Sequence, residues 1–109
     1  MIEQLEALLI AAARERRMLT YAQVAHGLDL QPPHIIYQAS KLIEAMMRRH
    51  AAAKVPQLAS LVVSKARMGM PARGFFLLLE ELDLYDGPPE GERARQFHRQ
   101  ELARCFDNL

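Results

Sequence analysis

The chain has 109 residues, half of them hydrophobic and a quarter charged, which is enough to bury one core and too little for two. That balance excludes intrinsic disorder as the main state. Fourteen Lys and Arg against thirteen Asp and Glu leave a net charge of +1, so no strong overall field acts on a partner. The single cysteine, Cys105, cannot close an internal disulfide, and a fold held by packing alone suits a reducing, cytoplasmic compartment. Met1 to Ala13 is apolar, but Glu3 and Glu6 interrupt it and no basic stretch precedes it, so it reads as a mature helix rather than a signal peptide. Uncharged stretches such as Val55 to Ser64 fall well short of the roughly 20 apolar residues that span a bilayer.

In chain order, Ile2, Leu5, Leu9 and Ala12 recur at helical spacing and predict a first amphipathic helix. Thr20 and Gln23 stand three apart in the capping-box relation, so a short second helix starts there and stops at Gly27. Pro32 and Pro33 suit a helix start, and Ile36, Ala39, Ile43 and Met47 keep the spacing of a third helix from about Pro33 to Arg49. The period then changes: Leu58 to Lys65 reads as a strand. Gly69, Pro71 and Gly74 make Ala66 to Arg73 a turn or wing that leads to a second extended segment or straight into a helix. Phe75, Leu78, Leu79 and Leu82 predict a fourth helix. A last one begins near Glu90 to Glu92 and carries Ala94, His98, Leu102 and Cys105 on its apolar face. This order predicts a mostly α domain with a small β element. It is a winged helix-turn-helix-like single domain over 1–109, with packing helices at both ends.

Few residues stand in a pattern that carries chemistry. His26, His34, His50, His98 and Cys105 lack the spacing of a metal site, and no metal or cofactor is expected. Glu80, Glu81 and Asp83 point in different directions from a helix and read as a solvated face. No nucleophile stands with a base, so no catalysis is expected. The charge is informative once it is resolved along the chain. Residues 1–40 net −1, residues 41–73 net +6 and residues 74–109 net −4. The basic middle holds Lys41, Arg48, Arg49, Lys54, Lys65, Arg67 and Arg73. In a winged helix the third helix enters the major groove and the wing follows the backbone. Lys41, Arg48, Arg49, Lys65, Arg67 and Arg73 are therefore the expected phosphate contacts, and His34, Tyr37 and Gln38 the expected base-edge readers, on duplex DNA. The alternative is a basic face that is merely solvated or that docks an acidic protein partner. The crowded apolar segment Phe75 to Leu84 reads as a core helix or, where exposed, as a face for a protein partner or a homodimer.

Thr20-Tyr21-Ala22-Gln23-Val24-Ala25, the proline opening of the third helix, Val55-Pro56-Gln57 and Val62-Val63 resemble the winged-helix domain of the DNA alkylguanine alkyltransferases and their alkyltransferase-like relatives. The similarity covers residues from about 17 to 75. It implies a DNA-binding domain in which Tyr21 lies against DNA near a flipped nucleotide. Gln57 occupies the place of that family's reactive cysteine, and Leu58-Ala59 replace the His-Arg that follows it. The spacing to Val62-Val63 is also two residues longer. An amide cannot accept an alkyl group as a thiolate does, so alkyl transfer is not implied. The arginine that the family inserts into the base stack falls near Tyr37, which weakens the implication of base flipping as well. Pro56-x-Leu58 and Gly69-x-Pro71-x-x-Gly74-Phe75 also look like small uncharacterised bacterial winged-helix-like proteins, a likeness that implies no activity.

Overall fold

A computed structural model describes residues 1–109. Helix α1 (Ile2–Arg14) buries Leu5, Leu9, Ala12 and Ala13, the stripe its spacing predicts. The chain then runs through the two-residue strand β1 (Leu19–Thr20) into α2 (Tyr21–Gly27). The capping box forms as the sequence predicts: Thr20 Oγ1 accepts from Gln23 N–H at 3.1 Å, and Gln23 Oε1 accepts from Thr20 N–H at 2.9 Å. Gly27 has a reason beyond ending the helix, because a Cβ there would sit 2.9 Å from Leu8 Cδ2. The glycine lets α2 press onto α1.

Helix α3 spans Ile35–Ala53, so the predicted Pro33–Arg49 element is displaced at both ends. Pro33 lies before the helix, and His34, in the left-handed region at φ 60, precedes the first turn. At the other end Ala51, Ala52 and Ala53 prolong the helix because alanine has the highest helical propensity. Lys54, also left-handed, stops it by donating its N–H to the Ala51 carbonyl.

The strand expected over Leu58–Lys65 is corrected. Leu58–Leu61 form a 3₁₀ turn, and only Val62–Val63 extend, as β2. A neighbouring helix decides this: the Ser60 carbonyl accepts from buried His98 at 2.8 Å, a contact that folds the backbone toward the helix instead of along a ladder. Strand β2 pairs in parallel with β1, Leu19 opposite Val62 and Thr20 opposite Val63. After a second 3₁₀ turn at Lys65–Arg67 the chain reverses through Met68 and Gly69, both at positive φ. An antiparallel bridge between Ser64 and Met70 closes this reversal. The segment then enters α4 (Arg73–Glu81) directly, with no second long strand.

Helix α4 buries Phe75, Phe76, Leu78 and Leu79, so the crowded apolar segment is chiefly core, while Leu77 and Leu84 stay exposed. Phe76 is fully buried among Phe75, Tyr85 and Phe97, with ring centroids 5.1, 5.4 and 6.5 Å away. Burying a side chain of this kind contributes about 1.5–3 kcal/mol. Helix α5 (Glu92–Asp107) completes the domain. One cluster of 22 buried residues joins all five helices and both strands. No helix is long and apolar enough to cross a membrane.

Polar bonds fix α5 to the chain after α3. Gln57 is 1% exposed; its N–H donates to Glu101 Oε2 at 2.8 Å, and its Nε2 donates to the Met47 carbonyl at 3.1 Å. The Cys105 thiol donates to the Gln57 carbonyl at 3.2 Å, and Arg104 holds the other Glu101 oxygen at 2.8 Å. The residue at the place of the alkyltransferase cysteine is thus committed to helix packing. Burial, reinforced by the Glu101 charge, pushes the Cys105 thiol up to about 12.

Candidate nucleic-acid interface

Four segments of the chain meet around one cleft of about 420 Å³, the last of them contributing Ala72 just before α4. Thr20, Tyr21 and Ala22 come from the start of α2, Ile36 and Ser40 from α3, and Val63 to Ala66 from β2 and the turn after it. The floor is apolar and the walls carry hydroxyls, a composition suited to an amphipathic group such as a base or sugar. The parallel pairing of β1 with β2 is what brings the turn beside the two helices.

Tyr21 anchors this arrangement. Its phenolic oxygen accepts the Ala72 N–H at 3.2 Å, tying the start of α2 to the chain that enters α4. Burial raises its pKa, against the Ala72 bond and the Arg67 charge, which lower it. The phenol therefore stays protonated at neutral pH and keeps a donor proton beyond the bond it accepts.

The predicted contacts divide by position. Lys65 lines the cleft and has no ionic partner, and the neighbouring tip residue Met68 is 92% exposed. Lys41 follows the lining residue Ser40; its ammonium lies 5.3 Å from the centroid of the exposed Tyr37 ring and 3.6 Å from Glu44. Arg73 follows Ala72 and pairs with Glu90 at 2.9 Å. His34 is exposed beside the first turn of α3. Of these residues only Lys65 is on the wall of the cleft, while Lys41 and Arg73 adjoin lining residues in sequence.

The remaining predicted residues have other partners. Gln38 Nε2 donates to the carbonyls of Gln31 and Pro33 at 2.9 and 2.8 Å, which closes the loop before α3. Arg48 reaches Glu81 on α4 at 3.2 Å. Arg49 turns to α1, 3.5 Å from Glu3 and 3.8 Å from Glu6. Arg67 donates to the Pro89 carbonyl and lies 6.0 Å from the centroid of Phe76. Arg48, Arg49 and Arg73 of the basic middle are therefore paired with acids from the two flanking segments, and Lys41 with Glu44 of its own. Such exposed pairs contribute only about 0–1 kcal/mol each, so a phosphate can displace a carboxylate at little cost.

Thr20 and Ile36 belong to the cleft but were legible in the sequence only as a helix cap and as part of a helical stripe, and Ser40 and Ser64 carried no signal, because small hydroxyls mark no pattern until the segments meet. No group of three or more His, Cys, Asp or Glu is arranged to hold a metal ion. Comparison with protein-family models, curated proteins and solved structures gives no significant match, so the reading of this interface rests on its own geometry.

Proposed function

We propose that this protein is a nucleic-acid-binding module of winged-helix type, which engages duplex DNA through the first half of α3 and the turn after β2. The observation that carries the reading is the shared cleft: the helix and the turn border one recess, with Lys65 on its wall and Lys41 and Arg73 next in sequence to the lining residues Ser40 and Ala72. In this reading Lys65, Lys41 and Arg73 meet phosphates, Tyr37 and His34 approach base edges, and Tyr21 and the Ser40 and Ser64 hydroxyls meet the group that enters the cleft. Arg73 and Gly74 support it further. They begin α4 with no side-chain cap on its first N–H groups, the end of a helix that favours an anion.

Titration with a mixed-sequence duplex, followed by fluorescence anisotropy, tests the proposal. Affinity that falls with salt and is weakened by Lys65→Glu is expected; absent or salt-insensitive binding overturns it. A protein partner is the second reading. It is favoured by exposed Leu77 (52%) and Leu84 (43%) beside the acids Glu80 and Asp83. A monomer by light scattering whose solution behaviour is unchanged by Leu77→Lys would count against self-association there.

A further inference from the structure

A second cavity, of about 330 Å³, lies at the other end of α3 and shares no lining residue with the cleft. His50 and Ile36 are separated by about 20 Å along the helix. Most of the wall is apolar: Ile10, Ala53, Val55, Pro56 and Leu58 contribute to it. One corner is polar, and its chemistry is specific. His50 is 5% exposed, and its Nε2–H donates to Glu6 Oε2 at 2.6 Å. The other ring nitrogen, Nδ1, is buried and has no hydrogen-bond partner. In the neutral imidazole that donates from Nε2, Nδ1 is an acceptor. Nδ1 has almost no accessible surface, so the polar atoms that a ligand in the cavity can reach in this corner are the carboxylate oxygens of Glu6, whose side chain is 27% exposed.

We infer that this cavity binds a small organic ammonium ion carrying an apolar body, with its N–H donors directed at the Glu6 carboxylate beside the buried His50 ring. The electrostatics select the cation. The wall includes Ala53 at the end of α3 and Asn108 at the end of α5, so two helices turn their negative ends toward the cavity. Glu6 adds a full negative charge. Arg49 is the one Lys or Arg on the wall, and it is divided between Glu3 and Glu6 and half exposed. A carboxylate ligand would face Glu6 and both helix ends, and a plain hydrocarbon would leave the polar corner unmatched.

The test is a backbone-amide NMR titration of the whole chain with 2-phenylethylamine, compared with 2-phenylethanol and phenylacetate as neutral and anionic analogues. The amine is expected to give saturable shifts around His50, Ala53 and Ile10 with a Kd of about 1 mM or tighter. The two analogues are expected to bind at least about ten-fold more weakly, as is the amine to Glu6→Gln, which loses a charge-assisted bond. Since Glu6→Gln also disturbs His50, Ala53→Leu provides an independent variant: position 53 is exposed, and the added side chain fills the cavity without touching the ion pair. Loss of the shifts in Ala53→Leu supports the site. Absence of saturable binding by the amine, equal binding by the alcohol or the carboxylate, or unchanged binding to Ala53→Leu each overturns it.

Discussion

Raising the salt concentration during a titration with duplex DNA separates the charge pattern of the sequence from its arrangement in space. Six cations, Lys41, Arg48, Arg49, Lys65, Arg67 and Arg73, are expected phosphate contacts on sequence grounds. If all six neutralise phosphates, log Kd changes with log salt at a slope of magnitude about 5, and affinity falls about 2,000-fold between 50 and 200 mM. In the fold, Arg48 faces Glu81, Arg49 faces Glu3 and Glu6, and Arg67 is held by the Pro89 carbonyl. Lys65 lines the cleft, and Lys41 and Arg73, whose exposed pairs with Glu44 and Glu90 a phosphate can displace, adjoin its lining residues Ser40 and Ala72 in sequence; for these three the slope is about 3 and the loss about 40-fold over the same interval. Lys65→Ala should lower the slope by about 1, because each phosphate contact contributes one released counterion. Arg49→Ala should leave it unchanged. A wild-type slope of about 5 or more, or a slope that Arg49→Ala reduces, would refute the assignment of contacts; absence of binding would refute the nucleic-acid reading itself.

Three further outcomes follow from the fold. Thr20→Ala removes the acceptor of the Gln23 N–H and should cost about 1 kcal/mol, read as a lower urea midpoint with unchanged slope; a loss below a few tenths of that would show that water replaces the cap. Burial depresses the His98 pKa, with the Ser60 bond opposing it. The unfolded chain therefore binds a proton near its ordinary value of 6.5 while the folded one does not, so stability present above that pH is lost as pH falls. The fall in melting temperature from neutral to acidic pH should be smaller in His98→Gln, and an equal fall would refute the assignment. Cys105, with its thiol raised to about 12, should resist a thiol reagent at pH 8 until the protein unfolds. Between the ordinary thiol value of 9.0 and that raised value it should lower stability as pH rises, since only the unfolded chain ionises there. Rapid labelling of the native state would contradict its burial.

Local chemistry made part of this structure legible and long-range packing hid the rest. The capping box at Thr20 and Gln23, the α1 stripe and the apolar segment of α4 were readable because each depends on residues within one or two turns. The segment from Leu58 was misread because Val62 and Val63 are its only β-branched pair. Its earlier half is bent by bonds to α5, about 40 residues on: His98 donates to the Ser60 carbonyl, and Glu101 accepts the N–H of Gln57 just before the segment. The interface was half legible. Lys65 and Tyr21 could be found from charge and from the helix-start motif, whereas the cleft that joins them needs Ser40 and Ser64, which nothing local distinguishes. The charge map failed most instructively, since a net +6 along the sequence says nothing about which side each arginine leaves the helix. Arg48 and Arg49 are neighbours in the chain, yet they reach α4 and α1 respectively.

The parallel pairing of β1 and β2 joins positions 19 and 62 with only two residues on each side, too short a ladder to hold its own register. Its alignment is borrowed from the helices between and around the strands. The turn that carries Lys65 is thereby moored to a strand formed more than forty residues earlier, and its pose follows whatever happens to α1 and α2. A change at the Leu8–Gly27 contact, remote from every cation in the interface, would then travel to the turn through β1, and the surface offered to a partner would be tuned from the back of the molecule.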